Sequence, residues 1–198
     1  SNIFESYDLI NSNHKLITDH IRKKVKRNDP NLFSQRWEVP TLISCKSNKN
    51  FLLPFDSEFW RAMVYIENTF SSNILVDNMM AYQTGLGLAK FHVTCLDLDF
   101  SKFNNSIKNF HNIKYYINEY EITLKNYDFL KLDENIYKRV QNLIANLSNH
   151  ILYVESILES IKEKSIDFSL IHGDPKLSNF LFDIKNKYVV SLVDLDTV

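Results

Sequence analysis

Apolar and polar positions along the chain change period several times, and each change marks an element. Over residues 7–27, Ile10, Ile17 and Ile21 share one helical face, with Leu9 and Leu16 beside them. Lys23, Lys24, Lys26 and Arg27 suit the negative end of that helix's dipole, and Asn28-Asp29-Pro30 is a stop signal. The stretches WEVPTLISC, FLLPF and FWRAMVYIE then predict three strands, with Lys46 to Asn50 as the first connection. In the third, a two-residue period puts Trp60, Ala62, Val64 and Ile66 on one face. Polar NTFSSN closes this portion.

A second helix is predicted from about Asn78 to Leu96, striped by Met79, Tyr82, Leu86, Ala89, Val93 and Leu96. Gly85 and Gly87 inside it lower helix propensity and point to close packing of a neighbouring element. FHNIKYYINEYEITL predicts a third, tyrosine-rich helix. Residues 133–163 carry Ile136, Val140, Leu143, Leu147, Ile151, Val154, Leu158 and Ile161, the spacing of a long core helix with Asp133 as its cap. The period then returns to two in DFSLI, NFLFD and YVVSLVDLD, the last two joined by residues 184–187. Helix, small sheet, helices, small sheet is an α+β order rather than alternating α/β.

Composition narrows the function classes. A chain of 198 residues can bury a full core, and its formal net charge of −1 with 44% hydrophobic residues lacks the basic excess of nucleic-acid or membrane-surface binders. No apolar run approaches the roughly 20 residues that span a bilayer, and no signal-peptide pattern opens the chain. Cys45 and Cys95 lack metal-ligand spacing and read as buried free thiols, which fits a reducing, cytoplasmic setting. Gly85, Gly87 and Gly173 are the only glycines, so this stretch contains no Gly-rich phosphate loop.

The chemistry concentrates at the ends of the last strands. Asp174 follows an apolar run and stands five residues before Asn179, while a second apolar strand ends in Asp194 and Asp196. A loop of that length can fold back so that Asp174 and Asn179 face one cavity. A carboxylate can orient a hydroxyl and take its proton, and an amide oxygen can ligate a hard cation. Asp194 would add a charged ligand, and Lys176 could offset charge on a transferring phosphoryl group. Taken singly, each residue reads as turn chemistry, a solvated lysine or a structural histidine. As an ordered set, H-x-D-x-x-x-x-N followed by a strand ending in D-x-D has the spacing of the protein-kinase catalytic loop and its later magnesium-binding Asp.

HGDPKLSN with VDLDTV resembles the aminoglycoside phosphotransferase and choline kinase superfamily, whose loop reads H-G/N-D-x-x-x-x-N. GDPKLSNFLFD and VVSLVDLDTV are similar to the N-acetylhexosamine 1-kinase branch, where D-T-K-x-x-N-x-L-F-D and I-D-L-D-T-V are usual. Pro175 stands where that branch commonly has Thr, and Gly173 is the superfamily's variant. Upstream, FWRAMVYIENT, GLGLAKFH and FHNIKYY extend the likeness over most of the chain, with the specific motifs confined to the C-terminal part.

The resemblance implies a protein-kinase-like α+β fold of two lobes. Residues 1–67 would be a partial N-lobe with a hinge near 65–67. Residues 68–198 would be a mainly helical C-lobe with a catalytic loop at 172–179 and a metal-binding strand end at 194–196. It implies Asp174 as base, with His172 and Lys176 in the catalytic loop. Asn179 and Asp194 would be magnesium ligands, and Asp196 a supporting acid or further metal contact. Tyr65, Ile66 and Glu67 would hold the adenine of ATP, and Phe110-His111 would lie near the acceptor. The acceptor implied is an N-acetylhexosamine or related sugar; an aminoglycoside or choline-type acceptor, or a binding module without turnover, are the other readings. The superfamily's Gly-rich loop with its lysine would precede Ser1, and further helices would follow Val198, so the chain reads as a piece of a kinase.

Overall fold

The computed structural model describes residues 4, 6–27, 32–46, 51–56, 58–163 and 168–198. The stop at Asn28-Asp29-Pro30, most of the connection Lys46 to Asn50, and Asp167 of the expected strand DFSLI lie outside them. The chain divides into two compact units, Ser1–Lys108 with Ser169–Val198, and Asn109–Phe168. This division falls elsewhere than the lobe boundary expected at 65–67. The fold is mixed α and β, with four α-helices and small antiparallel sheets among the described residues.

The first unit holds α1 (Tyr7–Arg27), the short strands β1 (Leu42–Ile43), β2 (Leu53–Phe55), β3 (Glu58–Trp60), β4 (Ala62–Met63) and β5 (Thr69–Phe70), helix α2 (Asn78–Cys95), and the hairpin β6 (Phe180–Asp183) and β7 (Val189–Leu192). β1 pairs with β4, β2 with β3, and β5, β6 and β7 form one sheet in that order, all antiparallel. The turn between β6 and β7 is closed by Asp183, whose Oδ1 accepts the amide N–H groups of Lys185 at 2.9 Å and Asn186 at 2.7 Å. That is the Asx chemistry which makes Asp a turn residue. Every residue of β7 is buried, and Phe180, Phe182, Val189 and Leu192 join Ile17, Ile21, Trp37, Met80 and Phe91 in the core. The last strands therefore lie in the hydrophobic core of this unit, and the loops at their ends start from it.

Three strand expectations are corrected. FWRAMVYIE is two strands that break at Arg61, because β3 turns to β2 while β4 turns to β1. Its supposed apolar face is not buried as a set: Ile66 is, but Trp60 and Val64 are exposed. WEVPTLISC forms a strand only at Leu42–Ile43, and the described part of DFSLI forms none. Conversely, polar NTFSSN carries β5, whose Thr69 and Phe70 pair with Asp183 and Phe182.

α2 inverts its expected orientation. Met79, Tyr82, Val93 and Leu96 are exposed, and the buried face is Met80, Gln83, Gly87, Lys90, Phe91, Thr94 and Cys95. The sheet selects this face. The Gln83 Oε1 accepts the Val189 N–H at 3.0 Å, and Lys90 lays its ammonium 5.0 Å from the centre of the Trp37 ring. A Cβ on Gly87 would sit 2.8 Å from Val189 Cγ2, so that glycine permits the contact, whereas Gly85 faces open space. Cys95 is a buried free thiol pushed up to about 12 by burial; Cys45 is free but only partly buried.

The second unit is a helix pair, α3 (Ile113–Asn126) and α4 (Glu134–Lys162). Asn112 caps the first by accepting from the Tyr115 N–H, and Asp133 caps the second through the Asn135 N–H, as its position before the stripe suggests. α4 is not the fully buried core helix expected, since none of its described residues is fully buried. No helix among the described residues is long and apolar enough to cross a membrane.

Candidate active site

The loop after Leu170 is built outward from a buried histidine. His172 is 1% exposed, edge-on to Phe91 with ring centroids 5.7 Å apart. The Asp174 amide N–H can only donate, so His172 Nδ1 accepts it at 3.3 Å. Nε2 therefore carries the ring proton and gives it to the Val193 carbonyl at 2.9 Å. Burial lowers the pKa of the ring, which stays neutral. Both nitrogens of His172, expected in the catalytic loop beside the base Asp174, are engaged in fixing the loop to the end of β7.

Gly173 follows with φ at +85°, and a Cβ there would lie 2.6 Å from the Thr197 carbonyl oxygen. Backbone conformation and close approach both require glycine. Thr197 donates its hydroxyl to the His172 carbonyl at 2.9 Å, tying the loop to the chain after β7.

Asp174 then emerges with its side chain partly exposed. Its carbonyl accepts the Lys176 N–H and the Asn179 Nδ2, each at 2.9 Å, which closes residues 174–179 into a compact turn. Asn179 is buried, and its own carbonyl accepts the Val193 N–H at 2.8 Å. Its Nδ2 also lies 3.4 Å from Asp194 Oδ2. Asp194 takes a left-handed conformation, φ 64° and ψ 59°, rare for a residue with a Cβ and concentrated at functional sites. Lys176 lies between the two acids, 2.7 Å from Asp174 Oδ2 and 3.6 Å from Asp194 Oδ2. The hydrogen bond that the Lys176 ammonium donates to Asp174 raises the lysine's pKa, and the charges of both acids add to the effect.

Asp174, Lys176, Asn179 and Asp194 are thus brought together, as their spacing suggested. Asp196 is directed elsewhere: both its oxygens are taken by the Arg61 Nη2, at 2.5 and 2.6 Å. It is paired with a guanidinium instead of joining Asn179 and Asp194 as an open ligand. Among the described residues no three His, Cys, Asp or Glu side chains converge to hold a metal ion. A cation here would rely on the Asn179 Oδ1 and the Asp194 carboxylate. That pair suits magnesium, which takes one or two carboxylates and fills its remaining positions with phosphate oxygens and water.

Tyr65, Ile66 and Glu67 belong to the same unit. Ile66 is buried and its carbonyl accepts the Thr69 hydroxyl at 2.7 Å, while the Tyr65 and Glu67 side chains are exposed. Ile66 and Val64 border a groove of about 230 Å³ that Trp37, Val39 and Thr41 also line. Phe110 and His111 lie in the second unit, their rings 3.9 Å apart. There the His111 N–H donates to the Tyr116 hydroxyl at 3.2 Å, just ahead of the Asn112 cap.

Arg61, Asn13 and Ser106 went unread in the sequence although each touches the segment after β7. Signals for two of them exist. Arg61 interrupts an otherwise apolar alternation, and Asn13 falls three residues after Ile10, on the face of α1 that is buried. No known protein-family model matches the chain.

Proposed function

We propose that the protein is a magnesium- and ATP-dependent phosphotransferase of the aminoglycoside phosphotransferase and choline kinase type, acting on a hydroxyl of an N-acetylhexosamine or related sugar. The observation that carries this reading is the convergence of Asp174, Lys176, Asn179 and Asp194 at the end of one buried hairpin, with Lys176 within 2.7 Å of one acid and 3.6 Å of the other. A site holding two acids, an amide and an exposed cation suits the charge handling of phosphoryl transfer, where positioning and electrostatics dominate.

In this reading Asp174 accepts a hydrogen bond from the acceptor hydroxyl, orients it and takes its proton. Lys176, on an exposed stem, moves its charge toward the transferring group. The Asn179 Oδ1 and the Asp194 carboxylate would hold magnesium, which when bound neutralises phosphate charge. His172 positions the loop. Backbone groups of Tyr65, Ile66 and Glu67 would receive adenine. The sugar class rests on the likeness of GDPKLSNFLFD and VDLDTV to the N-acetylhexosamine 1-kinase branch.

ADP release measured with ATP, magnesium and a panel of N-acetylhexosamines, aminoglycosides and choline tests the reading. The expected result is acceptor-dependent ADP release with an N-acetylhexosamine and formation of its 1-phosphate. Release with choline or an aminoglycoside alone would move the acceptor class. No acceptor-dependent release at all would remove the kinase assignment.

A further inference from the structure

We propose that Arg61 is a positioning residue: by gripping Asp196 it holds the turn at 194–198 and through it sets the conformation that directs the Asp194 carboxylate toward Asn179 and Lys176. The proposal rests on the phosphotransferase reading only for why the placement of Asp194 matters to turnover.

A non-glycine residue in the left-handed region persists only where its surroundings over-determine it. Asp194 has that conformation, and the surroundings can be named. Leu195 is 1% exposed and anchors the turn in the core. The Asp196 carbonyl accepts the Ser106 hydroxyl at 2.7 Å. Thr197 bonds the His172 carbonyl, and the Val198 carbonyl accepts the Asn13 Nδ2 at 3.0 Å. Asn13 is itself held by residue 104, donating to the Asn104 carbonyl at 2.7 Å and accepting its N–H at 3.2 Å.

Of these anchors the Arg61 contact is the charged one. The Arg61 Nη2 lies 2.5 and 2.6 Å from the two Asp196 oxygens, and both side chains are about four-fifths shielded from water. Charge-assisted contacts of this kind are stronger than neutral hydrogen bonds and more specific in geometry. Losing one partner would leave the other charge largely buried and unpaired. Arg61 is also where FWRAMVYIE leaves its expected strand, between β3 and β4. The break frees the side chain to cross to a residue 135 positions later. The contact couples the hairpins around residues 58–63 to the end of β7.

Hydrogen–deuterium exchange on the purified protein tests the latch without nucleotide. In Arg61→Met, and more mildly in Asp196→Asn, amides of residues 193–198 should exchange at least tenfold faster than in wild type. Those of β6 and β7 should stay within about twofold. Ile21→Val, a core change far from the latch in sequence, should show no such local contrast. Arg61→Lys, which keeps the charge but loses the planar guanidinium, should fall between. Unchanged protection at 193–198 in every latch variant, or exchange raised equally through the whole sheet, would overturn the proposal. The same variants are then assayed for magnesium dependence, where Arg61→Met should raise the magnesium needed for half-maximal turnover severalfold. A local exchange contrast in a protein that shows no turnover would leave the latch standing and remove the kinase reading. Turnover without the contrast would do the reverse.

Discussion

At the residue scale the short motif divides into side chains that reach solvent and side chains that hold the backbone. Asp174 and Lys176 reach solvent, whereas His172 and Asn179 are buried and hold backbone. Gly173 belongs with the builders. Gly173→Ala should destabilise the protein by roughly 2 kcal/mol or more, because a left-handed φ and an overlap with the Thr197 carbonyl add. Urea midpoints of the two proteins measure it; a change under about 0.5 kcal/mol would show that the turn at 195–197 yields freely. Asp194→Ala should weaken magnesium-dependent ATP binding and turnover together, and Asn179→Ala, lacking a charge, should be milder and partly rescued by more magnesium. Titrating magnesium against activity in both variants separates them, and identical magnesium dependence to wild type in both would exclude them as ligands.

At the element scale α2 gives the sharpest internal control. Gly85 and Gly87 lie two residues apart on one helix, one facing open space and the other pressed on Val189 and Phe180. Gly85→Ala should stabilise by about 0.5–1 kcal/mol through helix propensity and lost unfolded-state freedom. Gly87→Ala should destabilise by about 1–3 kcal/mol despite the same gain, because the sheet cannot recede. Thermal melts of the pair should move in opposite directions, and two shifts of one sign would contradict the packing described. Helix positions and the β6–β7 hairpin were legible in the sequence because their signals are local: periodicity, caps at Asp133, and an Asx turn at Asp183. The face that α2 buries was not. Hydrophobicity chose Met79, Tyr82 and Val93, while tertiary partners chose Gln83 and Lys90, polar groups that find the Val189 amide and the Trp37 ring. The strand lengths around residues 37–67 were overread for a related reason: alternation reports suitability for a sheet, and the break at Arg61 follows from β3 pairing with β2 while β4 pairs with β1.

At the scale of the whole molecule, one buried group should make stability sensitive to acid. His14, on the inner face of α1, is 1% exposed, and neither ring nitrogen has a hydrogen-bond partner among the described residues. Burial, seconded by the nearby Arg61 charge and opposed by Asp196, lowers its pKa from 6.5 to about 4. Between those values the unfolded chain binds the proton that the folded chain refuses, so stability rises with pH in that window. Its contribution is complete above about pH 6.5 and should be lost progressively toward pH 4, to a total of roughly 3 kcal/mol. His172, also lowered by burial, acts in the same direction. Denaturant unfolding at pH 7 and pH 5 should show the loss, and His14→Phe should flatten it; equal slopes in wild type and variant would assign acid sensitivity elsewhere.

The candidate set of Asp174, Lys176, Asn179 and Asp194 was legible because its residues fall within 21 positions on one hairpin and its flanks. The latch beneath it was not, since Asn13, Arg61 and Ser106 reach the turn at 194–198 only through the tertiary fold. The central claim is that this set transfers phosphoryl groups, with Asp174 acting on the acceptor and not on the nucleotide. Its most direct test is single-turnover transfer by Asp174→Asn beside a direct measurement of magnesium–ATP affinity in the same protein. Positioned acid–base groups contribute about 10²–10⁴-fold, so transfer should fall by at least a hundredfold while affinity stays within about threefold of wild type. A variant that keeps more than about a tenth of wild-type transfer, or one that loses nucleotide binding in step with transfer, would contradict it.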